Sequence, residues 1–173
     1  MARIVVEVRD MMLQKILVTL DGSALARAAL PKAVKLASGD STAVVLVEVI
    51  EPLDVLHREA EEQFELTDGS AAKIEELAQQ MHFNKRHRAL DDLARAEAEL
   101  HAAGVRAVQT IVAEGLAGNE IVGAAEREHC DAIVMSTRGH GGLGREVIGS
   151  VAEYVLRHAG DAAVVLVGPR ASA

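Results

Sequence analysis

Ala132-Ile133-Val134-Met135-Ser136-Thr137-Arg138-Gly139-His140-Gly141-Gly142-Leu143-Gly144 is the stretch on which the fold turns. It opens as an apolar run too short for a buried helix and ends in a loop with four glycines, and a fifth, Gly149, stands just before a new helical pattern begins near Ser150. A buried strand that runs through a flexible loop into a helix is the building unit of parallel α/β sheets. Three further apolar runs share its character: Ile16–Leu20, Ala43–Ile50 and Ala162–Val167. A fifth, Val105–Val112, mixes Val105, Val108, Ile111 and Val112 with polar residues and suits a strand nearer the sheet edge.

Helical spacing fills the gaps between these runs. Leu25, Ala29, Ala33 and Leu36 fall on one face, as do Ile74, Leu77, Ala78 and Met81, and then Leu93, Ala96, Leu100 and Ala103. Ile121, Val122 and Ala125 mark another helix, and Val151, Ala152, Val155, Leu156 and Ala159 the last. The alternation predicts an α/β fold: a single open five-stranded parallel sheet with helices on both faces and right-handed crossovers. A strand order of 3-2-1-4-5 would set the first and fourth strands side by side.

The composition agrees with one core. At 173 residues the chain is long enough for one sizeable core and short for two domains. Aromatic residues make up only 2%, so Val, Ile, Leu and Ala must fill the interior. A formal net charge of −8 argues against general affinity for nucleic acid, which needs clustered Lys and Arg. Cys130 is the single cysteine, so no intrachain disulfide forms and a reducing compartment fits. No apolar run reaches the roughly 18 to 20 residues of a membrane span, and the N-terminus lacks a cleavable signal pattern, so the expected location is cytoplasmic.

Two segments depart from the alternation. The connection 51–88 is acidic through Glu59, Glu61, Glu62 and Glu65 and broken by Asp68 and Gly69, with Leu53, Leu56 and Ala60 suggesting a short helix. It reads as partly helical or mobile, and its charges as a solvated face. Residues 1–11 form an N-terminal extension before the domain at 12–170, because Met11 and Met12 both offer starts ahead of the first core strand. Arg3–Arg9 alternates weakly, which fits either an added edge strand or a disordered extension.

Ligands of open parallel sheets bind at the carboxyl ends of the strands, where neighbouring crossovers diverge to opposite faces. That rule selects Thr19-Leu20-Asp21-Gly22-Ser23 and the glycine loop after Met135. Glycines allow backbone N–H groups to turn toward an anion, and Ser150 with Glu153 has the spacing of a capping box at the start of the last helix. Arg138, His140 and Arg145 add positive character. Asp21 reads either as a ligand residue at the switch point or as a turn residue, since Asp-Gly-Ser is common turn chemistry.

Some familiar chemistry is excluded. Gly139, Gly141 and Gly144 spell G-x-G-x-x-G, but the helix starts near Ser150 and the next strand ends in Gly168-Pro169-Arg170 without an acidic ribose partner. The Walker sequence is absent, which argues against vigorous nucleotide hydrolysis. His82 and His87 are five apart and face different ways on a helix, which argues against a metal pair, and His129 and Cys130 read as structural residues at a helix end.

The run from Met135 through Arg138-Gly139-His140-Gly141-Gly142-Leu143 to Gly149-Ser150-Val151-Ala152-Glu153 resembles the nucleotide loop of universal stress proteins. Lys15-Ile16-Leu17-Val18-Thr19-Leu20-Asp21-Gly22-Ser23 is similar to the family's first strand and turn, and the likeness extends from about Met12 to Val167. The resemblance implies an adenine nucleotide alpha hydrolase-like fold that binds ATP or another adenine nucleotide, with magnesium accompanying the triphosphate. The ATP-binding branch carries G-x2-G-x9-G-[ST]; here the positions are Ser136, Gly139, Gly149 and Ser150, so serine replaces the first glycine. By resemblance, Asp21 and the backbone of Val49 hold the adenosine end, Thr19 stands at its wall where the family often has proline, and Thr137, Gly139, Gly149, Ser150 and Val151 surround the phosphates. Met135, Ser136 and Arg138 complete the expected site.

The resemblance further implies a homodimer joined through the edge strand Ala163–Val167 and a stress-response or signalling role in which nucleotide acts as ligand or switch. Two other readings stand beside it: a nucleotide-independent homodimeric interaction module, kept open by Ser136, and a weak ATPase or nucleotidyl-transfer relative.

Overall fold

Short runs of branched apolar residues become strands here because both of their faces are covered. The computed structural model describes residues 13–37, 41–63, 70–137 and 148–168. Its strands are β1 (Lys15–Leu20), β2 (Ala43–Ile50), β3 (Val108–Glu114), β4 (Ala132–Ser136) and β5 (Ala163–Val167). All pair in parallel in the order β3-β2-β1-β4-β5. The helices are α1 (Ala24–Arg27), α2 (Leu30–Leu36), α3 (Leu53–Gln63), α4 (Ser70–Ala102), α5 (Ala117–Arg127) and α6 (Ser150–His158).

The pleat sorts the core into two layers. Ile16, Val18, Leu20, Val44 and Leu46 meet Leu30 and Ala33 of α2 and Leu93, Ala96 and Leu100 of α4. Leu17, Val45, Val47, Ile133 and Met135 meet Ile121 and Ala124 of α5 and Ala152 and Val155 of α6. The chain therefore leaves β1 toward one face and β4 toward the other, and these two strands are neighbours, with Val18 opposite Val134.

Several elements differ from the sequence expectation for local reasons. The helix expected across Leu25–Leu36 is two helices, because Pro31, in the first turn of α2, has no N–H to continue the ladder. The stripes at Ile74–Met81 and Leu93–Ala103 belong to a single helix, α4, of 33 residues and about 50 Å. No Gly or Pro interrupts it, and its apolar face serves two partners: Ile74 and Ala78 pack on Ala60 of α3, whereas Leu93, Ala96 and Leu100 pack on the sheet. The short helix suggested by Leu53, Leu56 and Ala60 is α3, and the break expected at Asp68-Gly69 lies outside the described residues, as does the 1–11 extension.

β3 starts later than Val105 because that residue closes α4. Gly104 has φ of +95°, Gly104 N–H donates to His101 O, and Val105 N–H donates to Leu100 O at 3.0 Å, a Schellman cap. α5 ends the same way with a less suitable residue. His129 N–H donates to Glu126 O, Cys130 N–H donates to Ala125 O, and His129 has φ of +54°. Burial also pushes the Cys130 thiol up to about 11, so it stays a neutral packing group. His129→Gly is expected to raise stability by about 0.5–1 kcal/mol, because only glycine holds a left-handed backbone without strain. A thermal melt that stays level or falls counts against that account of the cap.

Candidate functional site

The carboxyl ends of β1, β2 and β4 lie side by side where the crossovers diverge. β1 delivers Thr19, which is buried, and then Asp21 in the turn that follows. Asp21 Oδ1 accepts the Ser23 N–H at 2.9 Å, Gly22 takes φ of +76°, and Ser23 Oγ accepts the Ala26 N–H at 3.0 Å as the N-cap of α1. Two consecutive side-chain hydrogen bonds thus fix the direction in which the chain leaves the strand.

β2 pairs with β1 so that Glu48 stands opposite Leu20, and Val49 follows it. A cleft of about 550 Å³ opens here, lined by Asp21, Gly22, Glu48, Val49, Ile50 and Glu51 from the strand ends and by Lys85, Arg88, Asp91, Asp92 and Arg95 from α4. The structure therefore gathers Asp21 and Val49, the expected adenosine end, into one depression.

The residues expected around the phosphates form a second group at the end of β4. Met135 and Ser136 are buried, Thr137 N–H donates to Val167 O at 3.0 Å, and Gly149 N–H donates to Thr137 O at 2.7 Å. That last bond brings the start of α6, with Ser150 and Val151, against the end of β4. Arg138 and Gly139 lie outside the described residues, as does the remainder of the glycine loop through Gly144.

The expected capping box at Ser150 and Glu153 does not form. Gly149 is the N-cap and has no side-chain oxygen to accept a helix N–H, Ser150 is the first helical residue, and the Glu153 carboxylate pairs with Arg157 at 2.7 Å. Among the described residues, no side-chain hydrogen bond caps the first turn of α6, an arrangement that suits its N–H groups and the positive end of its dipole to an anion.

Sequence reasoning missed the groups that dominate the electrostatics of the cleft. Glu48 is 9% exposed, and burial, followed by the negative charges of Asp92 and Asp21, raises its carboxyl from the ordinary 4.5 to about 7, with Arg27 pulling the other way. Arg27 donates to Asp92 Oδ1 at 2.5 Å and also to Glu99. The signal for Glu48 was present in the sequence: it is the one ionisable residue in the otherwise apolar run Ala43–Ile50. Arg27 and Asp92 lie 65 residues apart, and no spacing rule joins them.

A doubly wound parallel sheet ordered 3-2-1-4-5, with its crevice at the β1/β4 boundary, defines the adenine nucleotide alpha hydrolase-like class of fold. Within it, the chain belongs to the universal stress protein family, whose sequence model matches residues 12–167. Universal stress protein MJ0531 of Methanocaldococcus jannaschii is 43% identical over 63 residues, which are 36% of this chain and 37% of that protein. The alignment thus spans little more than a third of that relative. Among solved structures, hypothetical protein MJ0577 superposes with a TM-score of 0.75 at 26% identity, covering 94% of this chain and all of its own. A universal stress protein family protein from Arabidopsis thaliana with AMP bound superposes with a TM-score of 0.61 at 14% identity, covering 91% of this chain and 93% of its own. Among the described residues, no helix is long and apolar enough to cross a membrane.

Proposed function

We propose that this chain is a cytoplasmic stress-response or signalling protein that binds ATP or another adenine nucleotide across the β1/β4 boundary, with the nucleotide acting as ligand or switch. The observation that carries the reading is the adjacency of two unlike halves of a site. One is a cleft holding Asp21 and the edge of Val49; the other is a helix start whose N-cap, Gly149, carries no side chain and is tied to Thr137.

In this reading the adenosine end lies against Thr19, Asp21 and the Val49 backbone. The phosphates take N–H groups from Ser150 and Val151, at the helix start that Gly149 ties to Thr137, with Met135, Ser136, Arg138 and Gly139 completing the site. Magnesium arrives with the triphosphate, whose own oxygens supply ligands for it. The AMP-bound relative supports the reading at the level of the shared fold.

A homodimer through β5 belongs to the same proposal. Four of the five residues of Ala163–Val167 are only half-buried, and an apolar edge strand is an aggregation hazard until something pairs with it.

Calorimetric titration of the purified protein with ATP and AMP tests the ligand. Saturable heat and a raised melting temperature are expected; neither heat nor a thermal shift at millimolar nucleotide sinks the nucleotide reading and leaves the interaction-module alternative. Light scattering on the same samples should give twice the chain mass, and a monomer contradicts the dimer.

A further inference from the structure

Glu48 is not explained by the family site, and its surroundings are unusual. Its carboxyl lies in the floor of the cleft, nine-tenths buried, yet Oε2 has no hydrogen-bond partner. Asp92 Oδ2 is buried and unpartnered as well, because Arg27 engages the other oxygen of that carboxylate. Two acceptors without donors in one neighbourhood are what an ionised pair of acids produces; a proton on Glu48 removes a charge and turns an acceptor into a donor.

The charges around Glu48 come from each element packed against it. The turn after β1 brings Asp21, α1 brings Arg27, and α4 brings Asp92. On the rim of the cleft, Lys85 is committed to Glu51 at 3.0 Å, while Arg88, Asp91 and Arg95 are exposed. β3 presents the apolar Val112 opposite Glu48. Among the described residues, the guanidinium whose charge acts on Glu48 is that of Arg27, and it is shared between Asp92 and Glu99, whereas Arg88 and Arg95 lie exposed on the rim.

We propose that Glu48 is carried as a neutral carboxylic acid in the floor of the cleft and that its protonation sets the affinity of the cleft for an anionic nucleotide. The second half rests on the nucleotide reading above. In the acid form the side chain presents an O–H donor at the cleft floor; in the ionised form it adds a negative charge beside Asp21 and Asp92, against which an anionic ligand must bind. Burial and those two neighbours place the change near neutrality, at about 7, and no histidine is among the described residues that line the cleft.

The test compares ATP affinity at pH 6 and pH 8 for the native chain and for Glu48→Gln, which keeps a donor and cannot ionise. The ionisation of the ligand's own phosphate is common to both proteins and cancels in their ratio. The native chain is expected to weaken about tenfold relative to the variant over this interval, as the competent fraction falls; parallel pH profiles overturn the claim on affinity. A ¹³C-NMR titration of the Glu48 carboxyl in the ligand-free native chain supplies the independent arm and needs no variant. A midpoint near 7 supports the neutral acid, and a midpoint between 4 and 5 overturns it. Failure of ATP to bind the native chain at either pH overturns the nucleotide reading, and the affinity claim with it, while the carboxyl midpoint alone still decides the state of Glu48.

Discussion

With Arg27 replaced by methionine, the fold is expected to lose roughly 1–3 kcal/mol of stability near pH 8 and distinctly less near pH 5. Methionine preserves the apolar stem that covers α4 but removes the donor held 2.5 Å from Asp92 and the contact with Glu99. The side chain of Asp92 is 14% exposed, so its carboxylate is then left partly buried without a counter-charge, next to Glu48. The pH dependence has a definite sign. The folded-state pKa of Glu48 is raised from 4.5 to about 7, so its contribution is fully present below 4.5 and is lost as the pH climbs through 7. Removing Arg27, which opposes that rise, pushes the carboxyl higher still and widens the gap between variant and native chain at alkaline pH. Urea unfolding at the two pH values measures this directly, and an equal loss at both would show that the arginine acts through packing alone.

Asp21→Ala is expected to weaken ATP binding by roughly 10- to 100-fold, the scale of a hydrogen bond to a charged group. Part of any effect comes through the turn, because Asp21 Oδ1 holds the Ser23 N–H. Asp21→Asn separates the two roles, since the amide oxygen keeps that bond while the charge is gone. Calorimetry on both variants should show a large loss for alanine and an intermediate one for asparagine. If alanine changes the dissociation constant by less than about threefold, Asp21 is turn chemistry only and the adenosine end lies elsewhere.

Much of this architecture is legible in the order of residues because burial on both faces leaves a plain mark. Ile16–Leu20, Ala43–Ile50 and Ala132–Met135 are too short for buried helices and read as strands, and the order β3-β2-β1-β4-β5, assumed in the sequence reading, is the one observed. α4 was harder to read, since residues 82–88, His82 through Arg88, interrupt the apolar stripe where the helix passes from the sheet to α3. The start of α6 was misread for a different reason: Ser150 and Glu153 have the right spacing for a capping box, but Gly149 accepts the Glu153 N–H with its backbone carbonyl and Arg157 takes the carboxylate. Of the site, Asp21 was legible from topology, whereas Val49 came from the family resemblance alone. Glu48 announced itself only as a lone acid in a strand of hydrocarbon, and its partners Arg27 and Asp92 meet through tertiary folding.

The length of α4 has a mechanical consequence. Asp92 and Arg95 border the cleft, and Ile74, five turns away on the same unbroken helix, grips α3. Those 18 residues form a stiff lever of about 27 Å, on which a tilt of about 5° at the cleft end displaces the α3 end by roughly 2 Å without breaking a helical bond. Any tilt of α4 at the cleft would thereby be carried to an outlying helix, far from the atoms at its origin.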